Sequence, residues 1–491
     1  MMGHRHKTWS DARTALTLLS AAVFLITAYS SNGYFYPDEH FQLIEFARWK
    51  TGACTSETVP WELAAHIRPT LQPIITIILL KAMELCGASD PFVLALSLRV
   101  VMAAAVMWSV CHFIRCTQSS IMPGHINAYT ALSFLLWFIP YISVRYSSET
   151  MSAVFLLLAA GMACRMAESP GEVSAKRAAV MGILLGVAFE FRYQTMFAVL
   201  GLLCWYVCVY RRAYTRIAIA AAGFLSVMAM ALLADSWFYG RPVFPPLDYF
   251  RENIINGVAA TFGVSPWYEY VLMLLGRPTH FIGTCMLLSL LCSCVRHFRS
   301  PVVWIVVFFI AGHSMADHKE LRFLFPMAFF FPIMLIWTWE LIYTPRLKAL
   351  FAVLAAAFVL TDAGGLLMLA AKPAKNGRGN ALKYVYDNRE TTRVICTHEN
   401  NIYRVSSLDL EFYRRKGITV DEDIDLYLLG SISPKRGDAV IITQGDIWRR
   451  QMAENAGLKL VYRSVPQWVE KLNLFYKTYN GDDTLLVYAR E

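Results

Sequence analysis

Two stretches of this 491-residue chain gather side chains able to do chemistry. In the first, Tyr36-Pro37-Asp38-Glu39-His40, two adjacent carboxylates and an imidazole follow directly on an apolar run, and Pro37 ends the helix beneath them. A carboxylate so placed can take the proton of a hydroxyl as it attacks a carbon. Asp38 and Glu39 are the candidates for that role, Asp38 as the base with Glu39 orienting it or the acceptor, and His40 is a candidate substrate contact. The same pair also suits an ordinary acidic cap, because a helix N-terminus favours Asp and Glu. The second stretch, Asp317-His318-Lys319-Glu320-Leu321-Arg322, sets five polar or ionisable groups in six residues between two apolar runs. Such density is costly near lipid unless the groups are paired or functional. Lys319 and Arg322, three apart, share a helix face and can hold one phosphate with His318 in support. The alternative is two long side chains snorkelling to the interface.

Weaker signals lie elsewhere. Glu190, Arg192 and Tyr193 interrupt an apolar stretch, which suits either a pocket or a charged hairpin. Arg145 is a polar group where another run begins. Asp235 opens a segment whose aromatics Trp237, Phe238, Tyr239, Tyr249, Phe250, Phe262, Trp267 and Tyr268 exceed ordinary loop composition. An interfacial aromatic belt and a stacking surface for a sugar both fit. Arg145, Arg192, Tyr193, Asp235, Trp267 and Glu320 are therefore candidate substrate contacts. The eleven cysteines contain no CxxC pair or zinc spacing, and no metal site is expected.

Composition says what kind of element must hold these groups. The chain is 56% hydrophobic and only 16% charged, against about 25% in soluble proteins. Lipid is the expected solvent. The net charge of +9 does not point to nucleic acid, because the basic residues sit between apolar runs, where they orient membrane helices. About eleven spans are expected, at 14–30, 92–114, 126–143, 149–166, 177–190, 193–210, 215–233, 280–295, 301–316, 322–343 and 349–371. The stretches 1–13, 115–125, 165–177, 211–216, 296–300 and 344–348 hold fourteen Lys or Arg and three Asp or Glu, which places them in the cytoplasm. A further crossing at 69–86 would move the later basic loops outside. With Pro69, Pro73, Lys81 and Glu84, that segment reads instead as an interfacial helix within one outer loop, 31–91. The stretches 31–91, 144–148, 234–279 and 317–321 then share the non-cytoplasmic side.

After Ala371 the composition changes. Residues 372–491 carry β-type runs at Arg393–Thr397, Asp438–Thr443, Leu458–Val465 and Thr484–Arg490, with a polar helical stretch at Gly445–Gly457. The expected fold is an all-α polytopic membrane domain over 1–371 and a small soluble α/β domain over 372–491, joined by Lys372–Asn380. Cys54 and Cys86 share the outer loop, so a disulfide is open to them. The basic N-terminus and the run Thr14–Tyr29 resemble a signal peptide lacking a small-residue cleavage site, and are read as an uncleaved anchor.

At these residues the chain resembles glycosyltransferase family 22, the mannosyltransferases that use dolichyl-phosphate-mannose in N-glycan and GPI-anchor assembly. Pro37-Asp38-Glu39-His40-Phe41-Gln42 is similar to the family's first-loop signature, and His318-Lys319-Glu320-Leu321-Arg322-Phe323 to its His-Lys-Glu-x-Arg-Phe motif. Arg145–Thr150 stands where the family has an Arg-x-x-Ser-Asn-Thr-like stretch. Asp235–Gly240 and Phe262–Trp267 resemble the GPI third-mannose branch in particular. Tyr36 replaces a common His, and Tyr193 replaces the proline of a Phe-Arg-Pro-Thr segment. The resemblance implies the GT-C fold, with interfacial helices and the catalytic Asp in the first outer loop.

It also implies a donor, a polyprenyl-phosphate sugar, and a lipid-linked glycan acceptor, with no cofactor. Two other classes remain in view. A transporter or flippase would need charged or broken helices at the bilayer midplane, often in repeated halves. A lipid-linked-glycan ligase would take a diphosphate-linked glycan instead of a monophosphate sugar.

Overall fold

The computed structural model describes residues 2–168, 174–211, 214–422 and 434–490. Apolar sequence becomes helix at every expected span, though not always one unbroken helix. Six helices among the described residues are long and apolar enough to cross a bilayer: Asp11–Ser30, Pro91–Ser120, Ser148–Glu168, Tyr193–Tyr210, Thr215–Tyr239 and Pro345–Ala371. Leu321–Ala328 and Phe331–Ile342 make a seventh if the 63° bend between them lies within one span. Pro332 stands in the first turn of the second piece and Pro326 where the first passes from a 3-10 turn to α-helix, and proline cannot continue a preceding helical ladder.

Elsewhere the helices are shorter. The 126–143 run splits into Ile126–Leu135 and Ile139–Ser143, with Pro140 opening the second piece. Ala175–Phe191, His280–Arg296 and Pro301–Ser314 have 17, 17 and 14 residues. At 1.5 Å per residue they reach about 21–26 Å, short of a hydrocarbon core of about 30 Å. Among the described residues, six or seven helices thus reach full-span length and composition, and the rest of the eleven expected runs form shorter helices. Leu71–Leu85, in the segment excluded from the spans, is a helix of 15 residues.

Two compact units divide the chain and do not follow its order. The first is Met1–Leu25, Trp61–Ile75 and Val100–Leu366; the second is Ile26–Pro60, Thr76–Arg99 and Leu367–Glu491. The first is helical. Its tightest seam joins Ala175–Phe191 to Thr215–Tyr239, where a Cβ on Gly182 would overlap the Ala220 carbonyl oxygen. Small residues of this kind let membrane helices approach backbone to backbone.

The second unit holds a five-stranded sheet in the order Thr419–Asp421, Arg393–Ile395, Asp438–Thr443, Leu485–Ala489, Lys459–Arg463. The first three strands are parallel and the last two pair antiparallel. Side chains alternate between its faces. On one face Ile395, Val440, Ile442, Leu486 and Tyr488 meet Ala453 and Leu458. On the other, Val394, Ala439, Ile441, Leu485 and Val487 meet Ala381, Leu382 and Val385 of the helix Arg378–Asp387. That helix begins inside the stretch read as a linker. Tyr34, Phe41, Phe92 and Ala95 belong to the same core.

The start of the first loop is thus built into the sheet domain. Asn32 Nδ2 donates to the Gly379 carbonyl at 3.0 Å, and the Ala374 amide donates to the Asn32 carbonyl at 3.1 Å. A Cβ on Gly379 would stand 2.7 Å from that carbonyl oxygen, so the approach requires glycine. Cys54 and Cys86 are both free thiols, Cys54 Sγ donating to the Glu45 carbonyl at 3.6 Å. The bridge left open by the sequence is not formed.

Candidate active site

Asp38 to Lys50 is one helical stretch, widened to a π turn over Phe41–Glu45. Glu39 is buried and folds back, its Oε2 accepting from the Phe35 amide at 3.1 Å. His40 is buried among the rings of Tyr34, Phe41, Phe412 and Tyr413, with Nε2 3.0 Å from Glu45 Oε1. Glu45 also accepts from Arg48 Nη1 at 2.8 and 2.9 Å. Burial works to raise the Glu45 pKa, but the hydrogen bonds and charges of His40 and Arg48 outweigh it and hold the carboxyl below its usual range. Asp38, by contrast, is only half-buried.

A second cluster forms in the helical unit. Arg192 Nη1 donates to Glu149 Oε1 at 2.8 Å and to Ser148 Oγ at 3.3 Å. Arg322 Nε lies 3.8 Å from the same Glu149 oxygen and 2.5 Å from Glu320 Oε2. Glu320 Oε1 in turn sits 3.0 Å from His318 Nε2. Both guanidinium groups face the Phe323 ring, at 4.8 and 5.3 Å from its centroid.

Lys319, read from the sequence as a phosphate ligand, and Arg192, read as a substrate contact, differ here. Arg192 is buried, yet its Nε and Nη2 have no hydrogen-bond partner among the described residues. A planar fork with donors to spare suits an arriving oxyanion. Lys319 Nζ instead donates to the carbonyls of Ser265 at 2.9 Å and Ala316 at 2.5 Å. Its ammonium thus braces the loop before the Leu321–Leu324 turn.

The remaining candidates divide. Arg145, 1% exposed, lies over the Tyr141 ring at 5.0 Å. Asp235 Oδ1 accepts from the Thr70 amide at 2.9 Å and hydroxyl at 2.6 Å, which pins the start of Leu71–Leu85. Tyr193 is buried against Tyr249, and Glu190 is also buried. Trp267 is 72% exposed. Among the described residues, no group of three or more His, Cys, Asp or Glu could hold a metal ion.

Residues 15–404 match the Alg9-like mannosyltransferase family. The chain belongs to that family. This Alg9-like protein is 26% identical over 337 residues to GPI mannosyltransferase 3 of Yarrowia lipolytica, covering 67% of its own length and 63% of the relative's. It therefore spans less than two thirds of that relative. It is 34% identical over 103 residues to an alpha-1,6-mannosyltransferase of Schizosaccharomyces pombe whose name gives Dol-P-Man, covering 20% of this chain and 18% of that one. Its fold is similar to that of ArnT from Cupriavidus metallidurans bound to undecaprenyl phosphate, with TM-score 0.54, 97% of each chain covered and 12% identity. At that identity the likeness concerns fold alone. The Alg9-like chain is thus an integral membrane protein, mainly helical, with an ArnT-like fold and a small C-terminal sheet.

Sequence reasoning missed Glu149. The clue was present, since a carboxylate at the start of the apolar Ser148–Glu168 run needs a partner in lipid, and Arg192 in another run needs one too. Nothing in the spacing pairs them across 43 residues.

Proposed function

We propose that this Alg9-like protein is an inverting α-mannosyltransferase. It moves mannose from a polyprenyl-phosphate-mannose to a hydroxyl of a lipid-linked glycan or GPI-like acceptor. Transfer occurs on the non-cytoplasmic side of an endoplasmic reticulum or bacterial inner membrane. The observation that carries the reading is the buried Arg192 fork beside Arg322, inside a chain of mannosyltransferase family. The names of its relatives support mannose as the sugar and a GPI-like acceptor.

In this mechanism Asp38 takes the acceptor proton as the hydroxyl oxygen bonds to C1 of mannose, with Glu39 holding the turn that presents it. The C1–O bond to phosphate breaks on the opposite face, and the bond electrons leave with the phosphate. Arg192, Arg322, Lys319 and His318 stabilise the negative charge that grows there. His40, Arg145, Tyr193, Asp235, Trp267 and Glu320 shape the donor and acceptor subsites, directly or by holding their neighbours. A single monophosphate needs less neutralisation than a nucleotide diphosphate, so no metal takes part. Eleven crossings, the shorter helices included, complete the reading, with residues 1–371 forming the catalytic domain.

The test is transfer of labelled mannose from defined polyprenyl-phosphate-mannose to endogenous glycolipid in membranes carrying the protein. Label in a glycolipid product is expected. Transfer only from a diphosphate-linked glycan, or movement of lipid without transfer, would overturn the proposal.

A further inference from the structure

The sheet domain has an apolar helix face that its own core does not use. In Gln467–Tyr476 the buried side chains are Val469, Asn473 and Tyr476. Turned away from them are Trp468, Leu474 and Phe475, which are 43%, 77% and 66% exposed, with Lys471 exposed among them. Trp468, Leu472 and Phe475 fall at i, i+4 and i+7, along one stripe. The only carboxylate of the helix, Glu470, is 3.3 Å from Arg463, so Lys471 and the following Lys477 leave the face cationic. Aromatic and aliphatic side chains flanked by lysine are the composition of helices that lie in the lipid–water boundary.

Position agrees with composition. The turn after the helix is tied to it, Asn473 Nδ2 donating to the Tyr479 carbonyl at 2.8 Å and the Thr478 amide donating to Asn473 Oδ1 at 2.9 Å. Lys372 Nζ lies 4.6 Å from the centroid of the Tyr479 ring. Asn376 Nδ2 donates to the Asp483 carbonyl at 3.1 Å. Lys372 is the residue directly after the apolar helix Pro345–Ala371. The turn after the cationic, apolar helix is therefore held beside Lys372 and Asn376, within five residues of the end of that span helix.

We propose that Gln467–Tyr476 is an in-plane membrane anchor. Trp468, Leu474 and Phe475 enter the headgroup region of the bilayer that the chain itself spans, and Lys471 and Lys477 meet lipid phosphates. This goes beyond the transferase reading and does not depend on it.

The experiment uses full-length protein in phosphatidylcholine nanodiscs, with a photoreactive benzophenone amino acid encoded at Phe475 or, separately, at exposed Lys416. Both positions are exposed, so folding is retained in each. Phospholipid adducts are expected at Phe475 in at least about tenfold excess over Lys416, as a buried apolar anchor demands. Adding phosphatidylserine should raise the Phe475 yield by about fivefold, and Lys471→Gln should remove that rise. Adducts to a second copy of the chain, to another segment of it, or no excess of lipid adducts over Lys416 would overturn the anchor. A yield indifferent to phosphatidylserine would overturn the role of Lys471.

Discussion

Around Asp38 the charges close on one another, whereas around Arg192 they stop short of closing. Glu39 holds the Phe35 amide, and Glu45 is shared by His40 and Arg48. Asp38 beside them is half-buried. In the helical unit Glu149 and Glu320 hold one edge of each guanidinium, while Arg192 keeps two buried nitrogens, Nε and Nη2, without a hydrogen-bond partner among the described residues. The difference separates residues that build a site from those with capacity left to act. Ionisable type and motif position do not make that distinction.

The sharpest way to break the comparison is at its acidic end. Asp38→Asn should lower turnover by at least about a hundredfold, the loss of a general base, while the protein still inserts in the membrane. Glu39→Gln should chiefly lower the yield of folded protein. If Glu39→Gln inserts normally and loses as much turnover, the two carboxylates share the role. At the basic end, Arg192→Gln should cost about 10²-fold in donor use, as expected for one charged donor facing a departing oxyanion. Lys319→Ala should also weaken donor use, but less, because its ammonium is held by two carbonyls. Donor saturation curves read both, and the reverse ranking would return the phosphate to Lys319.

Glu149→Ala removes the carboxylate shared by two buried guanidinium groups. It should destabilise the helical unit by about 3 kcal/mol, seen in thermal unfolding. Glu149→Gln keeps the shape without the charge, and polyprenyl phosphate should then bind more tightly, since Arg192 is no longer shared. Unchanged or weaker binding would mean Arg192 does not meet the phosphate. The smallest effect concerns Glu45. Its folded pKa is depressed, so its contribution is complete above the unfolded value of about 4.3 and is lost as pH falls through the lower folded value. Glu45→Gln should flatten that acid limb of stability. An unaltered acid limb would assign the pH dependence elsewhere.

Much of this was legible beforehand. The four β-type runs of the C-terminal domain all became strands, and helices lie at each apolar run. Both patterns are local, since periodicity and turn residues act within ten positions. Span lengths were less legible, because Pro140, Pro326 and Pro332 break runs that hydropathy reads as continuous. The fate of individual charges was not legible, since whether Lys319 or Arg192 keeps donors to spare depends on carbonyls and carboxylates far away in the chain.

By itself the sequence determined the solvent of this protein, its helical class, its C-terminal sheet and the motifs that relate it to mannosyltransferases. Composition and short-range periodicity suffice for these, because each residue votes independently of distant ones. Only the tertiary structure decided that Tyr34, Phe41 and Phe92 complete a core with residues near 381 and 487, and that Glu149 joins Arg192 to Arg322. Burial and ion pairing are settled by which side chains meet, and such meetings leave no periodic trace along the chain.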